Sequence, residues 1–159
     1  MKSDKKVIVI TGGNSGLGKT TAKILSAKND VVIFGKNVKE VQETAEELKC
    51  ESVICDVTDE KQVQNAFSQI IKKYKKIDCL INCAGVWIKG PLEQNTPEEI
   101  RNVISVNTIG TILTVHALIP QLKKQQYGRI INVISQAGLT AKPERSIYYA
   151  SKWAVTCFT

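Results

Sequence analysis

The sequence lacks long apolar runs and has little histidine. Its apolar runs are short, such as the four residues from Val7 to Ile10, whereas a membrane span needs about 20 residues and a signal-peptide core about 7–15. We therefore expect a cytoplasmic protein without a membrane partner. The single histidine, His116, lies away from every motif and is interpreted as structural.

Paired cysteine motifs are also missing. The five cysteines include no C-x-x-C pair, their number is odd, and four of them fall in or beside apolar, strand-like runs. Buried free thiols fit this pattern better than a zinc site, which stays open as the alternative. No metal is therefore expected, and free thiols suit a reducing compartment.

The charge is not concentrated in one segment. Lysine and arginine exceed the acidic residues by 22 to 15, giving a net charge of +7, but the lysines are spread along the whole chain. Solvated helix faces explain this distribution better than a nucleic-acid partner does. Part of the excess can serve a polyanionic cofactor.

What the chain does contain is a regular alternation of strand and helix patterns without repeats or Gly/Pro-rich linkers. Short β-branched runs, apolar on both faces, alternate with longer helical patterns, which predicts a parallel sheet covered on both sides. We expect one doubly wound α/β domain over residues 1–159. The predicted strands are Val7–Thr11, Val31–Phe34, Ser52–Cys55, Cys79–Asn82 and Arg129–Ile134.

The helix starts are readable from their caps. The clearest is Thr96–Glu99, a capping box with proline at the first helical position. It predicts a helix to about Gln125, kinked or weakened at Pro120. Asn37 is a second predicted cap, for a helix that ends near Lys49.

A glycine-rich turn, Thr11–Gly18, follows the first predicted strand and precedes a helix from about Lys19. Its pattern is T-G-x-x-x-G-x-G rather than G-x-G-x-x-G. Glycines allow a tight turn and close approach to a pyrophosphate, and the helix N-terminus offers free N–H groups and positive dipole. The turn therefore predicts a phosphate-binding loop; a glycine-rich loop without a ligand is the weaker alternative.

Tyr148 and Lys152 are four residues apart on a predicted helix, so their side chains share one face. An ammonium beside a phenol favours the phenolate and makes the phenol a usable proton donor near neutral pH. Tyr149 is a competing phenol, but Trp153 occupies the corresponding position after it. The pair indicates a proton-transfer site.

Taken together, these motifs resemble the short-chain dehydrogenase/reductase family along the whole chain. The resemblance rests on the glycine turn and on five further elements in order, with Cys83 standing where the family has a second asparagine. These elements are Asp56-Val57, Asn82-Cys83-Ala84-Gly85, Val106-Asn107, Ser135–Gly138 and Tyr148/Lys152. The resemblance implies a Rossmann-type sheet with strand order 3-2-1-4-5 and hydride transfer to a carbonyl or from an alcohol.

The resemblance also implies roles for individual residues. Ser135 would bind the substrate oxygen, Tyr148 would exchange its proton, Lys152 would support Tyr148 and hold the nicotinamide ribose, and Asn107 would link Lys152 to solvent through a water. A strand-end serine and a solvent-facing asparagine are the alternatives for Ser135 and Asn107. The implied cofactor-binding residues are Gly12, Asn14, Ser15, Gly16, Leu17, Gly18, Lys36, Asp56, Val57, Asn82, Ala84, Gly85, Tyr148 and Lys152.

The end of the second strand bears on the choice of cofactor. An acidic residue there would bind the ribose diol and repel a 2′-phosphate, but this sequence has Gly35 followed by Lys36. A lysine can pair with a phosphate, and the segment is similar to that of NADP-preferring members. We expect NADP(H), with NAD(H) as the alternative.

Family members of ordinary length continue with further strands and a substrate lid, so the 159 residues are expected to be C-terminally truncated relative to them. The fifth strand would then be an exposed apolar edge. An oxidoreductase, acting as a homodimer or homotetramer if the C-terminal part is present, is the first expectation. A non-catalytic dinucleotide-binding or partner-binding module is the alternative.

Overall fold

The computed structural model describes residues 5–159 as strands and helices that alternate along most of the chain. The strands are β1 (Val7–Thr11), β2 (Asp30–Gly35), β3 (Glu51–Ile54), β4 (Cys79–Asn82) and β5 (Arg129–Asn132). The α-helices are α1 (Gly16–Ser26), α2 (Val38–Leu48), α3 (Glu60–Tyr74), α4 (Pro97–Ile104), α5 (Gly110–Gln125) and α6 (Ser146–Phe158). A π-helical turn, Ser105–Ile109, joins α4 to α5.

The five strands form one parallel sheet in the order β3-β2-β1-β4-β5, which confirms the predicted topology. The order reverses between β1 and β4, so the loops that follow these two strands diverge and leave a crevice at their carboxyl ends. β5 lies at an edge, and the side chain of Ile131 is 48% exposed there.

Alternate residues of the strands enter two separate apolar clusters, one on each face of the sheet, as a two-residue period requires. On the first face, α3 and α5 pack on the sheet, and Phe34 meets Phe67 edge-on with ring centroids 5.4 Å apart. On the second face, α1 and α2 supply Ala22, Val41 and Ala45. The strand residues of the first cluster are Val7, Val9, Val32, Phe34 and Leu80; those of the second are Ile8, Ile10, Val31, Ile33 and Ile81.

The capping signals locate the helix starts well. The side chain of Asn37 accepts a hydrogen bond from the Glu40 amide, and Thr96 and Glu99 form the reciprocal capping box. Several boundaries differ from the prediction. β2 is one residue longer at each end, and β3 begins and ends one residue earlier. α1 begins at Gly16 rather than near Lys19, because the glycine turn itself enters the helix, and β5 ends two residues early, at Asn132.

The helical path from Pro97 to Gln125 is long and apolar enough to cross a membrane by length and composition. Its most apolar 18-residue stretch has a mean hydropathy of 1.6. The expectation that no segment has this length is therefore wrong. It counted uninterrupted apolar runs, whereas this helix intersperses apolar residues with threonine and glycine. Half of this 18-residue stretch is buried against the rest of the chain, as in the core helix of a folded domain.

Candidate active site

The glycine turn between β1 and α1 presents backbone rather than side chains to the crevice. Gly12 has a φ of +64°, and a Cβ there would lie 2.8 Å from Cα of Ala84. Gly16 has a φ of +48°, and nothing lies within 4 Å of the position its Cβ would take. Ser15 caps α1 without a side-chain hydrogen bond, and no acidic residue occupies the first turn. Free amide groups beside open space form a cradle that suits a phosphate.

A cavity of about 290 Å³ opens at the carboxyl ends of β1 to β4. Much of the predicted cofactor set lines it: Gly12, Asn14, Ser15, Lys36, Asp56, Val57, Ala84 and Gly85. The lining also contains residues that the sequence analysis did not single out as cofactor-binding: Gly35, Asn37, Glu40, Cys55, Val86 and Val106. The predicted residues outside the lining are Gly16, Leu17, Gly18, Asn82, Tyr148 and Lys152.

The end of β2 is sterically closed to an acidic side chain. A Cβ at Gly35 would lie 2.3 Å from Oδ1 of Asn14 and 2.7 Å from Cγ2 of Val41. Asn14 is itself fixed, since its Nδ2 donates to Oε2 of Glu40 at 2.9 Å, and Asn37 donates to the other carboxylate oxygen at 2.8 Å. Glycine at position 35 therefore makes room for an amide–carboxylate network at the edge of the cavity.

Two predicted cofactor residues use their side chains within the protein. Asn82, 4% exposed, accepts from Thr114 at 2.9 Å and donates to Asn132 at 2.9 Å, so its side chain ties β4 to α5 and β5. One carboxylate oxygen of Asp56 accepts from the amide and the hydroxyl of Thr58, at 2.9 and 2.8 Å. This bonding orders the loop after β3.

Lys152 is buried, with 7% of the residue exposed, and its Nζ donates to the Val133 carbonyl at 2.8 Å. This bond joins α6 to the chain just after β5. Burial lowers the pKa of the Lys152 ammonium, and the Cys83 thiol acts in the opposite direction. Burial likewise raises the pKa of Cys83, while the positive charge of Lys152 lowers it. The two side chains therefore lie within electrostatic range of each other.

Asn107, in the π-helical turn, is buried rather than facing water, with 1% of the residue exposed. Its Oδ1 accepts from the amide of Val86 at 2.8 Å, and its Nδ2 donates to the carbonyl of Val86 at 2.9 Å and to Oγ of Ser151 at 3.0 Å. The side chain thereby fixes the loop after β4 against α6. A Cβ at Gly85 would lie 3.3 Å from Oδ1 of Asn107 and 3.7 Å from Nζ of Lys152, so both side chains converge there.

Ser135 and Tyr148 are the more accessible of the four predicted catalytic residues, since Asn107 and Lys152 are buried. Ser135 is exposed with a φ of +63°, and its Oγ accepts from the amide of Ala137 at 3.3 Å, which caps a short 3₁₀ turn. Tyr148 is half-buried, and its hydroxyl makes no hydrogen bond within residues 5–159. Both groups can therefore receive an external oxygen. Ser135 lies two residues after Val133, the partner of Lys152.

The family model for short chain dehydrogenases matches residues 6–159. The chain belongs to this family. Among curated relatives, it is 37% identical over 150 residues to a 3-ketodihydrosphingosine reductase of Bacteroides thetaiotaomicron, covering 94% of this chain and 54% of that protein. It is 33% identical over 165 residues to a 3-oxoacyl-(acyl-carrier-protein) reductase of Thermotoga maritima, covering 100% of this chain and 67% of the relative.

Solved structures of the family have the same architecture. A short chain dehydrogenase/reductase from Burkholderia phymatum, in complex with NAD, matches with a TM-score of 0.93 at 30% identity, over 99% of this chain and 59% of that one. An actinorhodin polyketide ketoreductase with NADPH matches with a TM-score of 0.94 at 24% identity, over 99% and 63%, and supports the fold alone. The chain spans 54% to 70% of the length of the curated relatives reported for it.

Proposed function

We propose that this chain carries the cofactor-binding and proton-transfer site of an NAD(P)(H)-dependent oxidoreductase that interconverts a carbonyl and an alcohol. The observation that carries the proposal is the buried Lys152, one helical turn after Tyr148, converging with Asn107 on Gly85 at the rim of the cavity. Both curated relatives described above are named as reductases of oxo compounds, which supports the reductive direction.

Gly12, Lys36 and Asp56 line the cavity, and the glycine turn continues from Gly12 to the open space and free amide groups at Gly16. This arrangement suits a nicotinamide dinucleotide. The glycine turn would hold the pyrophosphate, and the ends of β2 and β3 the adenosine. When bound, such a cofactor donates or accepts the hydride.

The protein's own part in the reaction is to position the substrate oxygen and to handle one proton. Oγ of Ser135 donates a hydrogen bond to that oxygen, and the hydroxyl of Tyr148 gives up its proton as alkoxide character develops. Lys152 stabilises the resulting phenolate by its charge. Asn107 acts as a positioning residue, since it holds the Val86 loop and Ser151 of α6 in register.

NADP(H) is the proposed cofactor, with NAD(H) as the alternative. Gly35 leaves no acidic group at the end of β2, and Lys36 brings a positive charge to the cavity. Glu40 lies at the same end and opposes this preference with a negative charge. The proposal also includes a cytoplasmic location and a homodimeric or homotetrameric assembly of the whole protein.

The test is the variant Tyr148→Phe with Tyr149→Phe as the matched control. Tyr148→Phe should reduce carbonyl-dependent NADPH oxidation by at least about 100-fold, the usual size of a general-acid contribution, and leave NADPH binding unchanged. Tyr149→Phe, which removes the adjacent phenol, should keep most of the activity. Retained turnover in Tyr148→Phe would remove that residue from its role.

A further inference from the structure

The loop after β4 and the segment before α6 bring two positive charges to an exposed aromatic ring. Trp87, 55% exposed, lies in the loop after β4. Nζ of Lys89 and Cζ of Arg145 each lie 5.9 Å from the centroid of its ring. We call Trp87, Lys89 and Arg145 the cationic rim.

The cationic rim is built on the elements that hold the candidate active site. Trp87 follows Val86, both of whose backbone groups bind Asn107. Arg145 immediately precedes α6, and its carbonyl accepts from the amide of Tyr149 at 3.0 Å. Both halves of the rim are therefore anchored within three residues of a group in the site.

The two loops that carry the rim are also joined to each other. The amide of Gly90 donates to the carbonyl of Glu144 at 2.7 Å, and the side chain of Asn95 donates to the carbonyl of Lys89 at 3.2 Å. The two loops of the rim are thus connected to each other, and Arg145 lies three residues before Tyr148 in the sequence.

The positive charges of the rim are not neutralised within residues 5–159, where neither Lys89 nor Arg145 forms an ion pair. Glu144, next to Arg145 in sequence, pairs with neither of them. An aromatic ring attracts a cation without cancelling its charge. Because both cations lie 5.9 Å from the same ring centroid, both attract an anion that approaches the exposed ring.

We propose that the cationic rim binds the anionic end of the substrate, a carboxylate or a phosphate, while the oxygen that reacts lies at Tyr148. This inference rests on the proposed oxidoreductase function and adds a substrate class to it: oxo or hydroxy compounds with a charged group at the far end. Arginine matches the planar carboxylate or phosphate face, and lysine adds a second charge.

The test compares ligands that differ only in the charge. One pair is 5-oxohexanoate and its methyl ester; the other is 5-oxohexyl phosphate and 6-hydroxyhexan-2-one. Binding is followed by NMR through the indole N–H signal of Trp87 in the ¹⁵N-labelled chain, assigned with Trp87→Phe. At least one charged ligand should bind about tenfold more tightly than its neutral partner. A preference in the first pair indicates a carboxylate as the natural anionic group, and a preference in the second pair indicates a phosphate.

Lys89→Gln and Arg145→Gln should each remove most of this difference. Lys124→Gln, which removes an equal charge from the far end of α5, should retain it. Equal affinities within both pairs, no binding by either charged ligand, or full retention of the preference in Lys89→Gln and Arg145→Gln would overturn the proposal. NADPH oxidation with the same ketones separates the two ideas, because efficient reduction of neutral and charged ketones alike would leave the oxidoreductase function standing and remove the rim's role.

Discussion

Lys152 carries a charge into a site where almost all of its surface is buried. Only one hydrogen bond, to the Val133 carbonyl, compensates it within the described residues. Burial lowers the pKa of Lys152, and the neighbouring Cys83 thiol partly restores it. The two residues are therefore coupled, and a substitution at Cys83 changes the electrostatic environment of the proposed proton-transfer group.

At the cavity edge, single charges are expected to control the choice between NADPH and NADH. Replacing Glu40 by Gln removes a negative charge that Asn14 and Asn37 hold beside Lys36. We expect NADPH to bind about two- to fivefold more tightly in Glu40→Gln, the scale of one exposed charge pair, with NADH little affected. Fluorescence titration of both cofactors measures this.

The matched control is Glu43→Gln, which removes the same charge from α2 outside the cavity lining. Glu43 forms an ion pair with Lys39 there. Lys36→Gln should have the opposite effect and weaken the binding of NADPH. Weaker NADPH binding in Glu40→Gln would contradict the assignment of this end of the cavity to a 2′-phosphate.

The sequence alone identified Lys36 as a residue of the cofactor cavity, but it did not identify Glu40. Lys36 follows a predicted strand end, where the sequence position itself indicates the cavity. Glu40 reaches the site through a hydrogen bond to Asn14, 26 residues away, which leaves no periodic signal in the sequence. Asn107 illustrates the same limit, because its burial depends on Val86 and Ser151.

Among the elements, the π-helical turn Ser105–Ile109 has the clearest structural purpose. It interrupts a path that would otherwise be one continuous α-helix. The turn is followed by Gly110, which packs closely against Val57: a Cβ at Gly110 would lie 2.6 Å from Cγ2 of Val57. The widened turn directs Asn107 into the loop after β4. Such turns recur at functional sites, where they redirect a side chain.

We predict that Asn107→Ala lowers the free energy of unfolding by roughly 2–4 kcal/mol. The substitution removes the hydrogen-bond partners of the half-buried amide and carbonyl of Val86, and each such loss costs about 1–3 kcal/mol. The hydroxyl of Ser151 loses its bond from Asn107 but still donates to the Tyr148 carbonyl at 2.7 Å. Urea unfolding followed by circular dichroism measures the change. Asn102→Ala, at an exposed position of the preceding helix, is the control and should change stability by less than about 0.5 kcal/mol.

The strands and the caps were predictable because each depends on a short stretch of sequence. β1 and β4 have their predicted bounds, and Asn37 and Thr96 cap as expected. The π-helical turn was not predictable, since no local residue pattern distinguishes it from the α-helix on either side. It is stabilised by contacts with α6 and with the loop after β4, which arise only in the folded chain.

For the molecule as a whole, the buried thiol of Cys55 and the half-buried thiols of Cys50, Cys79 and Cys83 link stability to pH. Burial raises the pKa of Cys55 to about 12, and it also raises the pKa values of Cys50, Cys79 and Cys83. Unfolding returns these thiols to ordinary values near 9.0. Above that pH the unfolded chain loses protons that the folded chain keeps, so the stability present below pH 9 is lost as the pH rises.

We therefore expect the free energy of unfolding to fall between pH 9 and pH 11, with Cys55 alone contributing about 1.4 kcal/mol per pH unit. Lys152 has the opposite effect on stability, because burial lowers its pKa in the folded state. As the pH rises towards 10.5, the value for an unperturbed lysine, the folded chain loses this proton before the unfolded chain does, and stability increases. Urea unfolding at pH 8.5 and pH 10.5 tests the net effect. Cys55→Ala should show a smaller loss; an equal loss would exclude Cys55 as a source.

The contact between Gly35 and Asn14 also limits how this protein can evolve. Every glycine codon becomes an aspartate or a glutamate codon by one nucleotide change, which would be the shortest genetic route to an acidic residue at the end of β2. Here the new side chain would meet Oδ1 of Asn14, which Glu40 holds in place. The Cγ2 atom of Val41 would also be met at 2.7 Å, so an acidic residue at this position requires both Asn14 and Val41 to make room, and the order of the mutations matters.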